Sequence, residues 1–187
     1  MALNLVQVEE ISALLQEVPR LVDRLENRRS DFWDGVHTWL KQAENILENN
    51  RLPAVSQVAA CRARLLQAAR GTQCGEITVA GKPTQRKIRD ATATMVLQRC
   101  NQLLHEIIAE RQNVFQEADR LARQLIAVAE ANGIIRNCKN NSPHQAFLQC
   151  VQKSIGADPN LVGVYTHLVA LVGKVDVLIF LDRAIVD

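Results

Sequence analysis

The chain has 187 residues, 48% hydrophobic and 22% charged, with eight glycines, five prolines and 4% aromatics. That length buries a real core, and that composition excludes a disordered chain and favours helix over sheet. The net charge of +2 implies no partner, but its distribution is uneven: residues 1–50 carry nine acids against five bases, and residues 52–99 carry eight bases against two acids.

Asn4 caps a first helix. Leu5, Val8, Ile11, Leu15, Val18, Val22 and Leu25 follow at three-four spacing. Pro19 removes an amide, so a break or kink falls near Glu17–Val18. The same phase continues through Phe32, Val36, Leu40, Ala43 and Leu47, which predicts one nearly continuous helix over about 20–49. Asn49 to Pro53 is a turn. Val55, Val58, Leu65 and Ala69 form the inner face of the next helix, which Gly71 ends.

Residues 71–83 make the longest irregular connection, with Ile77-Thr78-Val79 as one arm of a small β-hairpin near 76–80. From Thr84 to Asn132 there is neither proline nor glycine. Thr84 caps this stretch, and Gly133 closes it in the left-handed conformation. Its seam runs through Leu97, Cys100, Leu104, Ile107, Arg111, Val114, Ala118, Leu121, Leu125 and Val128. Such a seam is that of a long helix packed on another, coiled-coil fashion.

After a polar stretch, Ser142-Pro143 starts a short helix with Phe147, Leu148 and Val151 on its inner face, and Gly156 closes it. The segment from Leu161 to Val186 is apolar on almost every side. Three readings stay open for it: a core helix, a helix ending at Gly173 followed by a strand over Val175–Leu181, or a membrane-inserting segment. The expected architecture is all-α. It is an elongated bundle of one domain, built on a long antiparallel hairpin of about 20–49 against 84–132 with shorter covering helices.

The five cysteines show no CxxC pair and read as buried free thiols in a reducing, cytoplasmic setting. No basic stretch leads into an apolar one at the start, so no secretory signal is read. Cys138, His144 and Cys150 have the wrong number and spacing for a zinc site. GEITVAGKPT, residues 75–84, departs from a phosphate-binding loop in its glycine spacing and in the proline after Lys82. No arrangement for nucleophilic, metal or cofactor chemistry stands out, so neither an enzyme nor a cofactor is expected.

Two sets of residues break the bland pattern. Arg62, Arg64, Arg70, Lys82, Arg86, Lys87 and Arg89 form a basic region able to bind phosphates of nucleic acid or another anion. No aromatic residue between 40 and 114 offers a base-stacking platform. Arg111 stands on the apolar seam, with Asp31 or Asp34 as its expected partner across the hairpin. Trp33 and Trp39 lie six apart on one helix, so at least one is expected to reach an interface. The leading expectation is a non-enzymatic adaptor, scaffold or regulatory subunit, acting by helix packing with a protein partner or as a homo-oligomer. Anion binding through residues 62–99 is the first alternative, and membrane action through the C-terminal segment the second.

Overall fold

A computed structural model of the chain describes residues 3–70, 84–139 and 143–186. Every element among them is helical: α1 (Leu5–Leu15), α2 (Val18–Glu26), α3 (Phe32–Asn49), α4 (Val55–Ala69), α5 (Gln85–Ala131), α6 (Ile134–Cys138), α7 (His144–Ala157) and α8 (Val162–Val186). The expected hairpin near 76–80 lies outside the described residues. The chain forms two compact units, one of Val6–Ala109 and one of Met1–Leu5 with Glu110–Asp187.

In the Val6–Ala109 unit, Pro19 sits in the first turn of α2, where its missing amide costs nothing. The helix expected over 20–49 is broken after Glu26. Asn27 ends α2, and Arg28 turns left-handed at φ 50°. The Arg28 amide donates to the Leu25 carbonyl and the Arg29 amide to that of Arg24, a Schellman closure. Asn27 to Ser30 places no apolar side chain on the seam, so a break there loses little burial. It lets α2 fold back on α3 across Gly35. A Cβ built at Gly35 would stand 2.9 Å from Leu21 Cδ2, so only glycine allows this approach without displacing that leucine.

The three helices that follow run up, down and up. Arg62 of α4 pairs with Glu44 of α3, and the Gln85 amide side chain at the start of α5 donates to Ala69 O at the end of α4. The start of α5 also meets the start of α3, because Arg86 donates to Arg28 O at 2.9 Å and Arg89 lies over Trp33. The expected antiparallel pairing of 20–49 with 84–132 is therefore corrected. The segment α4 occupies that role, since a short turn at Asn50–Ala54 returns the chain before α5 begins. Trp39, Leu40, Val58, Leu65, Val96, Cys100 and Leu104 are buried in this unit. The indole nitrogen of Trp39 donates to Leu14 O at 2.9 Å.

The other unit contains α6, α7, α8 and the end of α5. Gly133 closes α5 at φ 74°, as its sequence requires. Phe115 meets Phe180 at a centroid separation of 5.8 Å, and Val151, Ile155, Leu168 and Leu181 are buried. Helix α8 is helical where a strand over Val175–Leu181 was the alternative, with a break at Gly173 (φ 83°). By length and composition it could cross a membrane, yet Leu168, Val172, Val177, Phe180 and Leu181 are buried in the fold. Cys138 and Cys150 form a disulfide between α6 and α7, which corrects the expectation of free thiols at both positions. It also removes them from any metal set.

The N-terminal residues 3–5 are held in this unit from both ends of its sequence. Arg111 Nε donates to Leu3 O at 2.9 Å, and the Leu5 amide donates to the buried Asp176 carboxylate at 3.0 Å. Asp176 thus satisfies an otherwise orphan amide at the start of α1.

Replacing Trp39 by phenylalanine removes the donor to Leu14 O and some core volume. A loss of about 1–3 kcal/mol is expected in urea denaturation, with the slope unchanged.

Candidate anion-binding cleft

Helix α5 opens with Thr84, whose hydroxyl accepts from the Lys87 amide at 3.3 Å. The first turn holds no acid. It holds Arg86 and Lys87, with Arg89 close behind, at the end of the helix that is already electropositive. Cations there oppose the dipole, and the fold adds two more. The α2–α3 turn brings Arg28 and Arg29 to the same place.

The result is a cleft in two lobes. The larger, about 640 Å³, is lined by Leu25, Arg28, Arg29, Phe32, Thr84, Arg86, Lys87 and Asp90. The smaller, about 220 Å³, is lined by Arg29, Ser30, Trp33, Arg86, Arg89 and Asp90. Five cations face one carboxylate. Arg86 is fixed between the lobes by Arg28 O and by Asp90, with Nε 3.6 Å from the carboxylate. Arg29 pairs with Asp31 at 3.3 Å. No hydrogen bond or ion pair to a described residue engages the Arg28 guanidinium or the Lys87 ammonium.

Trp33 forms one wall. Its ring stacks on His37 at 5.4 Å and carries the Arg89 guanidinium on it at 4.8 Å. A guanidinium over indole is stabilised by the ring quadrupole, by roughly 0.5–1 kcal/mol at an exposed site. The Trp33 indole N–H and the Arg89 Nε–H are buried and have no acceptor among the described residues. Buried donors without acceptors are costly. These two belong to residues lining a lobe crowded with positive charge.

The remaining residues named from sequence separate from this site. Arg62 is committed to Glu44 at 2.5 Å, and that bond raises its pKa above the usual arginine value. Arg64 is half-buried on α4, Arg70 is exposed just past its end, and neither lines the cleft. Lys82 lies outside the described residues. Trp39 is a core residue. Arg111 does not reach Asp31 or Asp34: it bonds Leu3 O and lies over Phe115 at 5.1 Å. Asp31 pairs instead with Arg24 and Arg29. Asp31 and Asp34 belong to the Val6–Ala109 unit and Arg111 to the other.

No protein-family model, curated protein or solved structure matches this chain. The cleft therefore stands on its own geometry. Among the described residues no group of three His, Cys, Asp or Glu side chains is placed to hold a metal.

Sequence reasoning missed Arg28 and Arg29 and the role of Trp33. Arg28 carries a backbone signature that explains part of this. It and Arg51 sit left-handed at helix ends, φ 50° and 54°, where glycine is usual. Both close Schellman motifs, with Leu52 N to Leu47 O completing the second.

A second chemical feature lies in the core. The buried Cys61 thiol on α4 is brought down to about 7 by a hydrogen bond from Cys100 on α5; burial opposes this, and Arg99 and Arg64 assist it. The same bond pushes Cys100 far up.

Two outcomes follow from these geometries. Arg28→Gly and Arg51→Gly each relieve a left-handed arginine and are expected to stabilise the fold by roughly 0.5–1 kcal/mol in thermal or urea melts. Alkylation followed by peptide mass spectrometry is expected to label Cys61 ahead of Cys100. Its rate should climb through pH 7, because the thiolate forms above that value, and equal labelling of both would contradict the assignment.

Proposed function

We propose that the chain is a non-enzymatic binding protein whose cleft at the start of α5 holds a phosphate-type oxyanion. The observation that carries the reading is the meeting of Arg28, Arg29, Arg86, Lys87 and Arg89 at a helix N-terminus with only Asp90 between them. Arginine forks match phosphate oxygens two bonds at a time, and the helix dipole adds to the attraction. Asp90 and Asp31 offset two of these five charges, and the excess that remains repels itself unless an anion completes the site.

The alternative, helix packing with a partner, would use the apolar seam of α5. Leu97, Cys100, Leu104, Ala118, Leu121 and Leu125 are buried by the chain itself. Among the described residues, the large apolar side chains that remain exposed are valines at scattered positions, Val6, Val22, Val128, Val162, Val175 and Val186. Scattered exposed valines do not make a docking stripe. An adaptor or regulatory role is carried better by the cleft than by the seam.

A ligand that binds only the folded chain raises its melting temperature. Inorganic phosphate is expected to raise it by more than chloride at matched ionic strength. Arg86→Ala and Arg28→Gly should abolish that response, and Arg51→Gly should keep it. Equal melting in phosphate and chloride would remove the basis of the proposal.

A further inference from the structure

The geometry points to a compact ligand carrying at least two phosphoryl groups, one in each lobe of the cleft, rather than to a nucleic-acid strand. The inference rests on the anion-binding reading and goes on to name the ligand class.

Arg29, Arg86 and Asp90 line both lobes. Arg86 is held in place at the divide by Arg28 O and Asp90. Arg28 and Lys87 belong to the larger lobe alone, and Arg89 to the smaller alone. Each lobe therefore has its own cation besides the shared pair. One phosphate in the larger lobe leaves the Arg89 charge of the smaller lobe uncompensated. A second phosphoryl group, attached to the first or to a short carrier, supplies that counter-charge. In the larger lobe the half-buried Leu25 is the apolar lining against which a carrier would rest.

Two observations argue against a strand. A single-stranded site needs a basic track and open aromatic faces. Arg62, on the next helix, is engaged by Glu44, so the charge does not continue along α4 through it. Phe32 in the larger lobe is buried, and Trp33 in the smaller is stacked by His37 and overlaid by Arg89. Trp33 holds an arginine in place and does not offer its ring to a base.

Calorimetric titration of the full chain with inorganic pyrophosphate, inorganic phosphate and a 20-nucleotide oligothymidylate separates the readings. Pyrophosphate is expected to bind one per chain, at least about tenfold more tightly than phosphate at physiological salt, a gain of about 1.4 kcal/mol. Arg89→Ala should weaken pyrophosphate binding more than phosphate binding, bringing the two anions to within about threefold. Arg89→Lys keeps the charge, loses the fork and should retain an intermediate preference. The variants' melting curves confirm folding. Equal affinities for phosphate and pyrophosphate in the parent chain overturn the two-lobe inference and leave the anion-binding reading standing. Tighter binding of the oligothymidylate, with a steep salt dependence, overturns it in favour of a strand. Absence of binding by all three overturns both.

Discussion

A helix of forty-seven residues needs cover. Backbone hydrogen bonds alone leave such a helix dependent on burial of one side, and α5 carries apolar side chains along its whole length. Leu97, Cys100 and Leu104 are buried in one unit, and Ala118, Leu121 and Leu125 in the other. Within the first unit, cover comes from a chain that goes up in α3 and down in α4 before α5 starts. The arrangement follows from connection lengths. Five residues between α3 and α4 force an antiparallel neighbour, and α5 then begins where α4 ends.

That order of helices creates the cleft as a by-product of packing. Because α3 and α5 start together, the turn before α3 is carried to the first turn of α5. The turn holds Arg28 and Arg29, and the helix holds Arg86, Lys87 and Arg89. None of these residues is near the other group in sequence. Arg28 also accepts the strain of a left-handed backbone in order to close α2, where a glycine would do so without strain. Its carbonyl then anchors Arg86. Backbone geometry and charge are thus tied at one residue.

The second unit solves a different problem. It adds covalent and polar ties to its helix packing. The Cys138–Cys150 disulfide joins α6 to α7, and His144 Nε2 lies 2.7 Å from Asp182 Oδ1 between α7 and α8. Arg111 and Asp176 hold the N-terminal residues. Arg111, a charged residue on an apolar seam, serves here as a donor to a backbone carbonyl.

Local chemistry determined the helices. The break at Pro19, the Thr84 cap, the Gly133 closure and the end of α4 at Ala69 were all legible, because each depends on neighbours within one turn. The all-α class followed from composition and period. The break after Glu26 was not legible, since it is closed by Arg28 in a left-handed turn where the sequence offers no glycine. Nor was the direction of pairing, because three-four spacing marks a buried face and is the same for parallel and antiparallel partners. The site divides in the same way. Arg86, Lys87 and Arg89 announced themselves by their place in the first turns of α5. Arg28, Arg29 and Trp33 did not, since only the fold sets them beside that helix start. Charge can be counted along a chain, but a charge cluster is a matter of distance, and distance across more than fifty residues is decided by tertiary packing.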